Sequence, residues 1–148
     1  TKIKKIADLN AVRGMASTLA ALWIEGGNAS VFNAGDSRVY RVMAAGGIDQ
    51  LTNDHSRMLD NDQKSKNVIT KAVGAKDKVE VEVDVFPCSR GDTFVLMSDG
   101  ISDVVADEKI AEIVSSANLS LLEKCMALTS EAESRGGRDD KTIILVAT

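Results

Sequence analysis

Three aspartates stand where predicted strands begin or end, and their side chains are the ones best suited to metal chemistry. Asp99 follows a short buried strand predicted at residues 93–97, Asp36 lies in a turn between two predicted strands, and Asp139 precedes the last strand. Carboxylate oxygens that converge from strand ends are the ligands that Mg²⁺ and Mn²⁺ prefer. Aspartate is also a preferred turn residue, so each could be an ordinary turn aspartate, and spacing alone does not show convergence.

The first third of the chain predicts a helix followed by antiparallel strands. Apolar residues recur every three positions from Ile3 to Val12, as on one face of a helix, and Gly14 ends that pattern. Apolar and alternating runs separated by glycine turns then indicate a meander of three or four antiparallel strands. We expect those strands at residues 17–25, 30–33, 38–42 and 48–52.

The middle of the chain predicts a loop and two strands. Residues 53–67 are polar, which is typical of a surface loop with room for one helical turn. Val alternates with acidic residues at 79–86, which indicates an edge strand with one wet face, and Pro87 ends it. Residues 93–97 form the short buried strand that leads into Asp99.

The last third predicts two helices and a final strand. Asp107 is expected to cap the first helix, and the second is expected over residues 119–135 with Leu122, Met126 and Leu128 on its apolar side. The continuous apolar run at 142–146 is expected in the centre of a sheet. Antiparallel strands with segregated helices indicate an α+β fold rather than alternating βαβ units.

Composition limits the classes of protein that fit. The 148 residues carry a net charge of −4 and are 44% hydrophobic, which predicts one domain over residues 1–148 and gives no support for nucleic-acid binding. The longest uncharged apolar stretch, residues 15–24, is much shorter than the ~20 residues of a membrane span. Cys88 and Cys125 are isolated, which favours free thiols and a cytoplasmic location.

Six short motifs follow one another between residues 14 and 142. They are GMASTL at 14–19, NAGDSR at 33–38, LTNDHS at 51–56, ITKAVG at 69–74, LMSDGISD at 96–103 and GGRDDKT at 136–142. In this order they resemble successive signature motifs of the PP2C (PPM) family of metal-dependent protein serine/threonine phosphatases. The resemblance implies two packed antiparallel sheets flanked by helices, in agreement with the α+β layout.

The resemblance also assigns roles to particular residues. It implies that Asp99 and Asp139 are metal ligands and that Asp36 joins Asp99 in holding a third, weaker ion. The other residues at supporting positions in these motifs are Asp140, Gly100, Ser37, Arg38 and His55. We expect His55 to make structural hydrogen bonds and Arg38 to pair with a carboxylate rather than with phosphate.

The implied chemistry is hydrolysis of phosphoserine and phosphothreonine in a phosphoprotein, the product of a serine/threonine kinase. Two Mn²⁺ or Mg²⁺ ions, with a weaker third, are the implied cofactors, and a metal-activated water is the implied nucleophile. Neither cysteine lies in a Cys-x5-Arg loop, as a covalent phosphoenzyme would require.

The sequence also departs from the family pattern. It has no D-G-x-G-G motif, whose Asp bridges two metal ions in relatives, and no preceding strand with a phosphate-binding Arg. Three explanations stay open: a fragment of a normal phosphatase, which the missing initiator Met favours, an inactive pseudophosphatase kept for binding, and a chain completed by a partner's strands. The first and third predict an exposed sheet edge that dimerises or pairs with another chain.

Overall fold

The computed structural model describes residues 1–10, 14–59 and 66–148. Within these ranges the helices are α1 (Lys2–Leu9), α2 (Asp99–Ser102), α3 (Asp107–Ser115) and α4 (Leu121–Ser134). The strands are β1 (Leu19–Glu25), β2 (Asn28–Ala34), β3 (Arg38–Val42), β4 (Ile48–Gln50), β5 (Ser56–Leu59), β6 (Lys66–Ile69), β7 (Glu82–Pro87), β8 (Thr93–Met97) and β9 (Ile143–Ala147).

The larger strands form two antiparallel sheets. The first sheet has the order β1-β2-β7 and the second has the order β4-β3-β8-β9, while β5 and β6 form a separate hairpin. The predicted α+β class, with antiparallel sheets and segregated helices, is confirmed. The edge position predicted for residues 79–86 is confirmed, because β7 borders the first sheet. The strand itself begins at Glu82 and includes Pro87, and its valines Val83 and Val85 are exposed, so the expected bounds and the expected burial of the valines are wrong.

The second sheet lies between the first sheet and the helices. Along β8, Phe94 and Leu96 join the core that β1, β2 and β7 cover, whereas Val95 and Met97 join the core that α2, α3 and α4 cover. Because both faces of β8 are covered, its sequence is continuously apolar rather than alternating. This strand ends two residues before Asp99, so the carboxylate follows directly on a buried, hydrogen-bonded strand.

The expectation that the last strand lies in a sheet centre is wrong. In the described residues β9 pairs with β8 alone and forms the edge of the second sheet, and Ile144 is 54% exposed. Ile143 and Leu145 pack toward the helices, whereas Val146 packs toward the first sheet. Its apolar run therefore reports one face covered by the helices and one partly covered face, and such faces do not require a neighbouring strand on both edges.

The expected single meander is also wrong. The hairpin β1–β2 belongs to the first sheet and the hairpin β3–β4 belongs to the second, so the chain crosses between sheets at Gly35–Ser37. Hydrophobic periodicity identifies strands and their faces but does not say which sheet a strand joins. This crossing places Asp36 outside both sheets.

The predicted surface loop at 53–67 contains strands at both ends. β5 pairs antiparallel with β6, from Ser56 opposite Ile69 to Leu59 opposite Lys66. The polar composition of this segment concealed a hairpin, because strands are recognised from sequence mainly by runs or alternation of apolar residues. Residues 60–65, in the middle of the predicted loop, and Val12 of the predicted first helix lie outside the described residues.

The two long helices differ from expectation in their caps and faces. Ala106 rather than Asp107 is the N-cap of α3, while Ser120 caps α4 in a capping box with Glu123. On α4, Leu122 and Met126 are 70% and 61% exposed, so their expected place on the buried side is wrong. Leu128 is fully buried there, as predicted. Within the described part of the chain, no helix has the length and apolar character to cross a bilayer.

Both sheets are open at the same side of the molecule. Among the described residues β1 pairs with β2 alone and β9 with β8 alone, and between these two edges lies an apolar cavity of about 390 Å³. Its lining includes Ala20, Leu22, Leu96, Ile144 and Val146. A second hollow of about 200 Å³ shares three of these residues and reaches Ser37 and Ser98, next to the candidate aspartates. We call these two hollows together the open trough.

A pair of identical substitutions on α4 tests this packing. Leu128→Ala should lower the free energy of unfolding by about 2–5 kcal/mol, because it leaves a cavity in the core beneath α4. Leu122→Ala should change it by less than about 0.5 kcal/mol, because that side chain is exposed. Urea unfolding monitored by circular dichroism measures both. Equal losses at the two positions would contradict this orientation of the helix.

Candidate functional site

Asp36, Asp99 and Asp139 lie at one end of the second sheet. The first residue of β3 pairs with the last residue of β8, which in turn pairs with the first residue of β9. Since β8 runs antiparallel to both neighbours, the turn before β3, the residues after β8 and the segment before β9 all reach the same end. The sheet register therefore brings the three predicted aspartates to one region, which we call the acidic end.

The pKa of the Asp36 carboxyl group is raised by its burial and by its acidic neighbours. Burial raises the pKa of Asp36 most, and the nearby carboxylates of Asp99, Asp54 and Asp103 raise it further, while its own backbone N–H opposes the shift. A raised carboxyl pKa means that the ionised form is disfavoured in the folded chain. The acidic end is therefore a place where negative charge is concentrated and only partly compensated.

Asp103 belongs to the same group, although no role was assigned to it from the sequence. Burial raises the pKa of Asp103, and Asp99, Asp54 and Asp139 raise it further, whereas Arg38 lowers it. Asp54 and Asp103 both stand within motifs quoted above, in LTNDHS and LMSDGISD. Their presence in those motifs was the only sequence signal that could have drawn attention to them.

The acidic end falls short of a complete metal site. Across residues 1–10, 14–59 and 66–148, no three Asp, Glu, His or Cys side chains are grouped closely enough to hold a metal ion. The donor type suits Mg²⁺ or Mn²⁺, because both ions prefer carboxylate oxygens. The assignment of Asp36, Asp99 and Asp139 as metal ligands therefore stays a prediction.

The absence of a side chain at Gly100 sets the distance between two segments of the site. A Cβ at this position would overlap the carbonyl oxygen of Asp140 and lie 3.3 Å from that of Asp139. The Gly100 N–H donates to the Asp99 carboxylate at 2.9 Å, which fixes that carboxylate at the start of α2. Gly100 thus lets the segment before β9 lie directly against the residues that follow β8.

Ser98 hydrogen-bonds the residues that follow β8 to the segment before β9. Its hydroxyl donates to the carbonyl oxygen of Asp140 at 3.3 Å and accepts from the Thr142 N–H at 3.0 Å. The Lys141 ammonium donates to the carbonyl oxygen of Asp139 at 2.9 Å, and the Asp139 carboxylate accepts from the Asp140 N–H at 2.8 Å. In these contacts Asp140 takes part through its backbone, and its carboxylate is exposed.

The turn that carries Asp36 is held on both sides by Thr18. The Thr18 and Ser37 hydroxyl oxygens lie 2.8 Å apart, at hydrogen-bond distance. On the other side, a Cβ at Gly35 would lie 2.5 Å from the Thr18 methyl carbon, and Gly35 has a φ of +132°, which favours glycine. Thr18 therefore restrains the residues immediately before and after Asp36.

Arg38 links three parts of the acidic end. Its guanidinium binds the Asp54 carboxylate through Nε and Nη2, with a shortest distance of 2.6 Å, and Nη1 donates to the carbonyl oxygen of Ser102 on α2. The expectation that Arg38 pairs with a carboxylate is confirmed. Nη1 also donates to the hydroxyl of Tyr40, and burial raises the pKa of Tyr40 to about 12.

His55 is buried beside the Asp36 turn and makes several hydrogen bonds. Its Nδ1 accepts from the Gly35 N–H at 3.2 Å, and its Nε2 lies 2.6 Å from the Glu82 carboxylate and 3.1 Å from the Lys71 ammonium. Its backbone carbonyl accepts from the N–H and hydroxyl of Thr70. These contacts support the hydrogen-bonding role expected of it.

Comparison with known proteins gives consistent matches. The family model described as protein phosphatase 2C matches residues 2–134. The serine/threonine phosphatase stp of Listeria monocytogenes is 35% identical over 94% of this chain and 58% of its own length. Protein phosphatase PhpP of Streptococcus pneumoniae is 32% identical over 99% of this chain and 63% of its own length. The chain therefore spans less than two thirds of these curated relatives.

Solved structures agree with these matches. PppA, described as a key regulatory component of T6SS in Pseudomonas aeruginosa, superposes with a TM-score of 0.86 at 28% identity, over 99% of this chain and 63% of its own. The catalytic domain of the serine/threonine phosphatase PstP, solved with two manganese ions, gives a TM-score of 0.82 at 27% identity, over 97% and 64%. These similarities cover nearly the whole chain described above.

The raised pKa of Asp36 predicts a measurable gain in stability from removing its charge. The folded chain binds the Asp36 proton more tightly than the unfolded chain, so stability is lost as pH rises through the folded-state pKa. In EDTA at pH 7, Asp36→Asn should raise the free energy of unfolding by a few tenths to about 1 kcal/mol, since solvent screens a half-exposed group.

The gain should shrink as pH falls toward the usual aspartate pKa of about 3.9, where the wild-type carboxyl is itself protonated. Urea unfolding at several pH values measures it. Asp84→Asn, on the exposed part of β7, is the control and should show no such gain. A loss of stability in Asp36→Asn at pH 7 would show that the charge is not disfavoured.

Proposed function

The chain belongs to the protein phosphatase 2C family, and from that premise we propose that it forms the larger, C-terminal part of the catalytic domain of a metal-dependent protein phosphatase. The reaction proposed is hydrolysis of phosphoserine and phosphothreonine in phosphoprotein substrates. The observation that carries this proposal is the acidic end, where Asp36, Asp99 and Asp139 reach the same end of one sheet and neighbouring carboxylates raise the pKa of Asp36 and of Asp103.

In this proposal Asp99 and Asp139 are metal ligands, and Asp36 joins Asp99 in holding a weaker third ion. Held by these residues, Mn²⁺ or Mg²⁺ would supply the Lewis acidity that activates water for phosphate-ester hydrolysis. Asp99 is suited to its role because the Gly100 N–H orients its carboxylate. The carboxylate of Asp139 is likewise oriented, by the N–H of Asp140.

If the site is to bind metal well, further ligands must come from outside the described residues, and we propose that they come from chain beyond residues 1–148. The described residues contain no complete cluster, and the chain covers 58% and 63% of the two relatives compared above. The open trough supports a place for further chain, because both sheets offer an unpaired edge and an apolar surface there. One end of the trough reaches Ser37 and Ser98, so a strand lying in it would pass beside Asp36 and Asp99.

A second candidate function is a phosphoprotein-binding module without catalysis. The observation that favours it is the incomplete cluster at the acidic end of the described residues. Such a module would retain the fold and the contacts of Ser98, Gly100 and Arg38, none of which needs a metal ion. The two candidates differ in turnover but share phosphoprotein recognition.

Phosphate release from a phosphothreonine peptide separates the two. The longer native protein should show turnover with Mn²⁺ and lose it in EDTA. Its activity should fall by more than about 100-fold in Asp99→Asn or Asp139→Asn, because removing a metal ligand should cost more than the 10–100-fold typical of removing a residue that only contacts a ligand. Asparagine keeps the oxygen that accepts the neighbouring N–H at each position, so charge is the main change.

Asp84→Asn is the matched control and should keep full activity. If the longer protein binds the phosphopeptide but shows no Mn²⁺-dependent turnover, the binding module is the correct function. If residues 1–148 alone show the same Mn²⁺-dependent turnover as the longer protein, the proposal that further ligands are needed is wrong.

The open trough also predicts self-association of residues 1–148 when they are produced alone. Two unpaired edges and an exposed apolar surface favour pairing between copies. Ile144→Lys places a charge on the β9 edge within the trough and should shift the chain toward monomer. Leu122→Lys, on the exposed face of α4, should not. Sedimentation velocity at several concentrations measures this, and a wild-type chain that is monomeric throughout would contradict it.

A further inference from the structure

We infer that His55 is a positioning residue for Asp36, and that it acts by accepting a hydrogen bond from the Gly35 peptide through an unprotonated Nδ1. The inference deepens the proposed function, in which Asp36 is a metal ligand, and it rests on that function for its catalytic meaning. Its structural content rests only on the contacts around the Asp36 turn.

His55 hydrogen-bonds both polar groups of the Gly35 backbone. The backbone N–H of His55 donates to the Gly35 carbonyl oxygen at 2.9 Å, and the Gly35 N–H donates to His55 Nδ1 in the ring at 3.2 Å. Both residues are buried, so losing the bond at Nδ1 would leave the Gly35 N–H without water to replace its partner. One residue thus holds the peptide that immediately precedes Asp36.

The Gly35 N–H fixes the tautomer of the ring. A backbone amide can only donate, so Nδ1 must present its lone pair, and the proton of the neutral imidazole lies on Nε2. That proton then points to the Glu82 carboxylate, 2.6 Å away. The opposite tautomer would accept from Lys71 at Nε2, but it would set two N–H groups against each other at Gly35.

The ring is itself held from the first sheet. Glu82 is the first residue of β7, and its carboxylate also accepts from the side-chain amide of Asn53 at 2.9 Å. The hydrogen bond from Asn53 lowers the pKa of Glu82 most, and the hydrogen bond with His55 lowers it further. The charged carboxylate is therefore favoured as the acceptor. A continuous set of contacts therefore runs from β7 through His55 to the turn between the sheets.

The Gly35 turn needs such a restraint because glycine is the residue with the greatest backbone freedom. Gly35 adopts a φ of +132° where the chain crosses between sheets, and Thr18 occupies the space where a side chain would be. Packing against Thr18 limits the space around Gly35, but the hydrogen bond at Nδ1 is what holds the Gly35 N–H in one direction. His55 therefore adds a directional restraint to the turn that carries Asp36.

Two substitutions separate the two nitrogen positions of His55. Asparagine places its amide near the position of Nδ1 and can still accept from the Gly35 N–H, whereas glutamine places its amide near Nε2 and reaches toward Glu82 instead. A merely structural role at this buried site would be damaged by both. A positioning role through Gly35 is retained in His55→Asn and lost in His55→Gln.

Nuclear magnetic resonance tests this directly, because His55 is the one histidine in the 148 residues. The imidazole ¹⁵N signals of the wild-type chain near pH 8 should show a bare Nδ1 and a protonated Nε2. Hydrogen exchange of the Gly35 amide should speed up by about five- to tenfold in His55→Gln, the equivalent of one hydrogen bond, and by less than about threefold in His55→Asn.

Mn²⁺ titration of the longer native protein, in which the proposed function expects a complete site, then tests the link to the site. Paramagnetic broadening of the Asp36 amide signal should need about tenfold more Mn²⁺ in His55→Gln and about the wild-type amount in His55→Asn. A ring protonated on Nδ1, or unchanged Gly35 exchange in His55→Gln, would overturn the inference. If His55→Gln does not fold, the wild-type tautomer and the His55→Asn exchange rate decide.

Failure of the proposed function would look different. If Mn²⁺ leaves the Asp36 signal unchanged in the wild type while the tautomer and the Gly35 exchange are as expected, Asp36 is not a metal ligand, yet the hold of His55 on its turn stands.

Discussion

The ion pair between Arg38 and Asp54 is the interaction on which the acidic end depends. The carboxylates around Asp36 repel one another, and a fold that gathers them needs a cation and a rigid frame nearby. Arg38 provides both, because its side chain is only 20% exposed and its donors reach Asp54, Tyr40 and the carbonyl oxygen of Ser102. It therefore ties β3, the residues before β5 and α2 into one unit, and it lowers the pKa of Asp103 within that unit.

The fold shows what hydrophobic patterns report and what they leave open. Residues 93–97 and 38–42 are predicted as strands with the bounds that β8 and β3 have, because a continuous apolar run marks the first and an alternation of charged and apolar residues marks the second. The position of β9 at an edge could not be predicted, since an edge is defined by missing partners and not by side chains. The division of the strands between two sheets was equally hidden, because strand order depends on contacts between distant parts of the chain.

The site follows the same division. Asp36, Asp99 and Asp139 could be predicted from their places next to strands and within motifs, and the register of β3, β8 and β9 explains why they reach one end. Asp54 and Asp103 could not, because their effect on Asp36 is a matter of distance through space. The contact between Nδ1 of His55 and the Gly35 amide is of the same kind, since it joins two turns that no local pattern connects.

Gly100 has a consequence for how such sequences are classified. Any other amino acid at this position would collide with the backbone of Asp139 and Asp140, so the fold demands glycine there whether or not a metal ion ever binds. Selection for folding alone would therefore preserve the glycine of the S-D-G motif even in a related protein that had lost catalysis. The glycine is thus a marker of ancestry and architecture, whereas Asp99 beside it is the proposed metal ligand, and only under that proposal would its replacement record a loss of chemistry.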